Sequence, residues 1–112
     1  MSSTNVRYKN TNAREKLRRR LKAEHRDCWI CREFGRVATI DYSLPAGHPM
    51  SFEVDELVPV SKGGSPLDYN NVDAAHRRCN QWRGNKSVAT VRQIAHSGAP
   101  QVPVEGTTSR AW

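Results

Sequence analysis

Cys28 and Cys31 make a Cys-x2-Cys, and far along the chain His76 and Cys79 make a His-x2-Cys. No other feature limits the fold as tightly. Three cysteines cannot all pair with one another, and in a reducing setting a Cys-x2-Cys reads as a metal or redox motif before it reads as a disulfide. Together the four side chains supply the Cys3His set of a closed tetrahedral zinc site, in which thiolates sit near ~2.3 Å and imidazole near ~2.0–2.1 Å from the ion. A closed site has no open position for a reacting water, so this zinc would be structural. It would pin the segment around Cys28 against the segment around Cys79. The plainer alternative is that Cys28 and Cys31 are ordinary buried or redox thiols and His76 lies on a helix surface.

Chain length makes such a staple useful. The 112 residues have room for one small domain, and polar ends leave a core of roughly 75 residues. Domains below about 80 residues commonly need a metal, disulfides or a partner. No apolar signal segment follows Met1, and no apolar run approaches the length of a membrane span. A cytoplasmic protein with no membrane partner is therefore expected. The net charge of +7 and pI near 9.8 favour a polyanionic partner and say nothing about chemistry.

Residues 1–11 lack hydrophobic periodicity and are expected to form a flexible basic arm. Asn12 can cap a helix, with Glu15 three residues on as in a capping box and Ala13, Leu17 and Leu21 as the apolar stripe. The rest of that helix is basic: Arg14, Lys16, Arg18, Arg19, Arg20 and Lys22. It suits a phosphate backbone or, equally simply, a solvated face. Residues 36–44, RVATIDYSL, suit a strand or extended segment. In SFEVDELVPV, Phe52, Val54 and Glu56 share one side of a strand, and Glu53 and Asp55 the other. Asp55 and Glu56 can serve one site only if the strand twists or ends there, and Pro59 agrees with an ending. A turn-rich loop follows, with Gly63-Gly64 in a turn that needs positive φ. VDAAHRRCNQWRGNKS reads as a helix entered near Asp73, and SVATVRQIAH as a last helix packing Val88, Val91, Ile94 and Ala95. Residues 97–112 are expected to be a disordered tail. The expected class is α+β.

The stretch VDELVPVSKGG…NNVDAAHRRCNQWRGNK resembles the HNH endonucleases, ββα-metal nucleases. Their usual pattern runs Asp-His-Ile/Val, x, Pro, then Ser-x-Gly-Gly, then Asn-Leu/Val, and finally Cys-x2-Cys-Asn-x2-Lys-Gly. The resemblance spans roughly residues 28–87, and IDYSLPAGHPMSFEVDE also resembles the bacteriophage variant of the family. It implies a small ββα-metal domain over residues 12–96, stapled by zinc, with an added N-terminal basic helix. By the same resemblance Asp55 matches the carboxylate ligand of a catalytic divalent ion, and Asn80 stands at the final His/Asn position that holds that ion. Asn71 matches the residue that orients the general base. His76 replaces the first cysteine of the second zinc pair, and Arg83-Gly84 replaces Lys-Gly. Oxygen ligands suit Mg²⁺ or Mn²⁺.

Position 56 departs from the pattern, with Glu where the family has its histidine base. A carboxylate is roughly two pK units less basic than an imidazole, which at full Brønsted sensitivity costs about 2.7 kcal/mol. Such a loss slows a nuclease more readily than it abolishes one. Three roles stay open for Glu56: general base, second metal ligand beside Asp55, or an inactivating exchange that leaves a zinc-stabilised DNA-binding module. His48 is a possible substitute base. Phosphate contacts are expected from Arg14, Arg18, Arg19, Lys22, Lys62, Arg77, Arg83 and Lys86. Trp29 and Trp82 are expected to cover the zinc knuckles. The expected function is metal-dependent DNA endonuclease, acting as a monomer or weak dimer. The resemblance to phage proteins adds phage packaging proteins as partners and a bacterial host cytoplasm as the place of work.

Overall fold

The computed structural model describes residues 2–97, with side chains from residue 12 onward. Helix α1 (Ser2–Ala23) leads into a short α2 (Trp29–Glu33), an irregular stretch, and strand β1 (Phe52–Glu56). A loop with two 3-10 turns, Val60–Lys62 and Tyr69–Asn71, returns the chain as β2 (Val72–His76). Helices α3 (Arg77–Arg83) and α4 (Val88–His96) complete the order. The mixed α+β class expected from sequence is the class observed.

β1 and β2 form a two-stranded antiparallel sheet, with Phe52 opposite His76, Asp55 opposite Asp73 and Glu56 opposite Val72. VDAAH was expected to open a helix and is a strand instead. Val72, Ala74 and Ala75 are all buried, and a short apolar run of this kind does not distinguish a buried strand from a helix. Pairing decides it, because the backbone groups along one edge of β1 need partners. The helix begins only at Arg77, with His76 as its N-cap residue, and ends at Gly84, whose φ is +50°. RVATIDYSL is irregular, yet it buries Ala38 and Ile40, and the Ala38 carbonyl accepts a hydrogen bond from the Cys28 N–H at 2.8 Å.

α1 docks through the expected stripe: Leu21 is fully buried and Leu17 partly so. Its start differs from expectation. Asn12 is an interior residue of a helix that runs from Ser2, so the backbone of 2–11 continues the helix where an arm was expected. That stretch contains neither Pro nor Gly to stop it. The Arg18 guanidinium lies 5.0 Å from the centre of the Phe52 ring, joining α1 to β1. α4 forms as expected, capped by the Ser87 hydroxyl accepting from the Thr90 N–H and anchored by the fully buried Val91. The expected tail lies outside the described residues from 98 onward. Among the described residues no helix is long and apolar enough to cross a membrane.

The loop after β1 is built tightly. Asn71 bonds the Val58 N–H (2.9 Å), the Val58 carbonyl (2.9 Å) and the Ser65 carbonyl (3.0 Å). The two glycines serve different needs. Gly63 has the expected positive φ of +93°, whereas a Cβ on Gly64 would sit 1.7 Å from the Val58 carbonyl oxygen and 2.8 Å from the Asn71 amide. Gly64→Ala is therefore expected to destabilise the fold by about 2 kcal/mol or more, against almost nothing for the exposed Ser61→Ala. Denaturant melts followed by circular dichroism compare the two.

Candidate functional site

Two knuckles meet at one point. Cys28 caps α2, and its sulfur accepts from the Cys31 N–H; His76 caps α3, and its N–H points back at the Cys28 sulfur at 3.4 Å. The three Sγ atoms and the His76 Nδ1 all lie within 4.8 Å of one another, and all four residues are buried. The Cys31 Sγ is 3.5 Å from His76 Nδ1 and 3.6 Å from the Cys79 Sγ, and Cys79 is 3.8 Å from His76 Nδ1. A tetrahedron with zinc–ligand bonds of ~2.0–2.3 Å has edges of about 3.5–3.8 Å. Cys31, His76 and Cys79 thus stand at the spacing of zinc ligands, and the Cys28 sulfur, within 4.8 Å of each, completes a set that can hold one zinc ion.

The surroundings prepare these ligands. His76 Nε2 lies 3.0 Å from the Thr39 carbonyl, which fixes the protonated nitrogen on that side and leaves Nδ1 to ligate. Arg36 donates to the Cys31 sulfur at 3.4 Å and approaches the Cys79 sulfur, easing the burial of thiolates. Crowded together, the four groups compete for protons. The hydrogen bond with Cys28 pushes the Cys31 thiol far down and the Cys79 thiol far up. Burial works to lower His76, but hydrogen bonds and charge from Cys28 and Cys31 outweigh it and raise it to about 10.

The knuckle is wired to β1 by a buried ion pair. Trp29, between the two cysteines, donates its Nε1–H to Asp55 Oδ2 at 2.8 Å, and the same oxygen accepts from Arg83 at 2.8 Å. Arg83 is 2 % exposed and also bonds the carbonyls of Glu56 (2.9 Å), Leu57 (2.6 Å) and Lys86 (2.8 Å). Burial pushes the Asp55 carboxyl up, against Trp29 and Arg83, which pull it down. This corrects one expectation. Arg83 is no phosphate contact, because its guanidinium is consumed inside the fold.

β1 stays regular through Glu56, so Asp55 and Glu56 point to opposite sides. Both nevertheless border a cleft of ≈ 260 Å³ at the end of the strand, together with Pro59, Asn80 and Asn85. The cleft therefore collects Asp55, Glu56 and Asn80 from two elements. Asn71 is not among them: its amide is saturated by Val58 and Ser65, and its own carbonyl accepts from the Leu57 N–H at 2.8 Å. Any action of Asn71 on Glu56 runs through the backbone. Glu56 meets Arg14 of α1 at 3.7 Å, and the two border a second cleft, of ≈ 230 Å³, with Arg18 and Glu53. The strand pattern puts Glu53 on the same side as Asp55 but assigns it no role. Glu53 bonds Asn80 Nδ2 and Arg77, each at 2.9 Å.

The other cations are surface groups in varied states. Arg19 and Lys22 are exposed on α1, and Lys62 is exposed while donating to the Asn85 carbonyl at 3.3 Å. Arg77 pairs with Glu53, and Lys86 bonds the Trp82 carbonyl and lies over its ring at 4.6 Å. Trp29 is core and bonds Asp55, and Trp82 is half-buried and edge-on to Phe34. His48 turns its Nδ1 to the Met50 N–H.

A family model for HNH endonuclease matches residues 28–86, more than half of the chain. No curated protein and no solved structure matches it.

Purified protein is expected to carry one zinc per chain by elemental analysis, and Cys79→Ser or excess chelator to abolish its cooperative thermal transition. Protons and metal compete for the same sulfur and nitrogen atoms, so zinc release to a colour indicator is expected to rise as pH falls. Arg83→Ala leaves Asp55 buried without its cation. A loss of about 3–5 kcal/mol is expected, read from urea melts.

Proposed function

The chain belongs to the HNH endonuclease family, and on that premise we propose that it is a metal-dependent nuclease that hydrolyses DNA phosphodiester bonds. The observation that carries the reading is the shared cleft: Asp55, Glu56 and Asn80 border one space at the end of β1. Their oxygens are hard donors, the kind Mg²⁺ and Mn²⁺ take. Asn80 Oδ1 and the second oxygen of Asp55 would hold such an ion, since Asp55 Oδ2 already accepts from Trp29 and Arg83. Bound there, a divalent ion supplies electrostatic stabilisation of charge on the phosphorane and the departing 3′ oxygen.

The chain's own groups do the rest. Glu56 accepts a proton from the attacking water as the bond from phosphorus to the 3′ oxygen breaks. Arg14, 3.7 Å from Glu56 and largely exposed, is placed to meet a phosphate oxygen beside the base. Arg18, Arg19 and Lys22 follow it along α1, and Lys62 stands on the loop beyond Glu56; these hold the flanking phosphates. Asn71 keeps the strand end in place by tying Leu57 and Val58. The Cys3His cluster, filled with zinc, is structural.

One observation favours a second reading, a DNA-binding module that does not cut. A guanidinium already stands 2.8 Å from the Asp55 carboxylate, where the nuclease needs room for another cation. The test is nicking of supercoiled plasmid with Mg²⁺ or Mn²⁺, with and without EDTA. Asp55→Ala would strand Arg83, so the informative variants are Asn80→Ala and Glu56→Gln, each expected to lower nicking by about 100-fold or more. Glu56→His is expected to match or exceed the unmodified protein. Protein that binds DNA yet never cuts, in the unmodified form or as Glu56→His, would establish the binding module.

A further inference from the structure

Glu53 belongs to none of the roles above, yet among the described residues it is the side chain that hydrogen-bonds the Asn80 amide. Its Oε1 lies 2.9 Å from Asn80 Nδ2, and its Oε2 accepts from Arg77 at 2.9 Å. The two acidic groups on this side of β1 differ sharply in setting. Asp55 is 6 % exposed and locked between Trp29 and Arg83, while Glu53 is half-buried in an ion pair at the surface.

An amide has two unlike ends, and a metal can use only one of them. The NH2 end repels a cation; the oxygen end binds it. A carboxylate held in an ion pair can only accept hydrogen bonds, so Glu53 selects the rotamer in which Asn80 presents its NH2 to β1. The carbonyl oxygen Oδ1 is the other end of the same planar group. We propose that Glu53 is a positioning residue for Asn80: by accepting the Nδ2–H it directs Asn80 Oδ1 into the cleft as a ligand for the divalent ion. Arg77 holds the Glu53 carboxylate in place through their 2.9 Å ion pair. The proposal rests on the reading of Asn80 as a ligand, and it adds a residue on which that ligand depends.

Outer partners of this kind commonly change metal affinity by about 10–100-fold. The test is Mn²⁺ titration of zinc-loaded protein, following the free-ion electron paramagnetic resonance signal, with thermal midpoint and zinc content as controls. Glu53→Gln is nearly isosteric, but a glutamine amide can donate as well as accept, so Asn80 loses its fixed orientation. It is expected to weaken Mn²⁺ binding at least 10-fold with zinc content unchanged. In an Asn80→Asp background both ends of residue 80 are oxygens and no orientation is needed, so Glu53→Gln is expected to cause no weakening there.

Equal weakening in both backgrounds would overturn the proposal in favour of a plain loss of negative charge. If Asn80→Ala abolishes Mn²⁺ binding and Glu53→Gln leaves it unchanged, the proposal falls and Asn80 stays a ligand. If Asn80→Ala has no effect, the reading of Asn80 falls and takes the proposal with it. A second measurement needs no variant: in the unmodified protein the Asn80 Hδ2 protons should show nuclear Overhauser contacts to the Glu53 γ-methylene. An amide found turned the other way would refute the assignment.

Discussion

Everything in this small fold hangs on the meeting of Cys28, Cys31, His76 and Cys79. The four ligand atoms lie within 4.8 Å of one another, and Cys28 and His76 stand at the N-cap positions of two short helices that could not stand alone, with Cys31 and Cys79 inside them. α2 has five residues and α3 seven, well below the length at which isolated helices persist in water. Each helix starts at a ligand. The cluster lies inside the apolar core with Ile30, Ala38, Phe52 and Ala75, so closing it also buries the sheet's inner surface. The Thr39 carbonyl behind His76 and the Arg36 guanidinium beside the sulfurs show that the backbone between the knuckles is folded to serve it.

From that centre, one line of contacts runs to the cleft. Trp29 leaves the first knuckle and reaches Asp55; Asp55 meets Arg83; Arg83 gathers the carbonyls of Glu56, Leu57 and Lys86. A buried ion pair of this kind is expensive to desolvate and is tolerable only when nearly every polar atom has a partner. Here the guanidinium has four acceptors, and the result is a rigid end to β1. The same residue that resembles the family's Lys-Gly position therefore acts on the site from inside, by holding the backbone that carries Glu56.

The regular strand also sorts the acidic groups. Glu53 and Asp55 bond Asn80, Arg77 and Arg83 of α3, whereas Glu56 meets Arg14 of α1. The proposed base and the proposed metal ligands thus meet different helices, one long and basic, one short and tied to the Cys3His cluster. They converge only because both sides border the space at the strand's end.

The Cys3His set, the α+β class, the apolar stripe of α1 and the last helix were legible in the sequence, because ligand spacing and 3.6-residue periodicity are local properties. The glycine pair was legible as a turn, but only the close approach to Val58 explains Gly64, and that contact joins residues the local pattern does not connect. Residues 72–76 were misread because their conformation is set by the partner strand and not by their own periodicity. The state of each charged group was equally hidden. Arg83, Arg14 and Arg77 look alike as letters in a basic chain; one is buried against Asp55, one reaches Glu56 and one holds Glu53. Sequence by itself determined which chemical groups the chain possesses and which short-range patterns they obey. Tertiary structure alone decided which of those groups are desolvated, paired and aimed, because the energy of a charge depends on neighbours brought from distant parts of the chain.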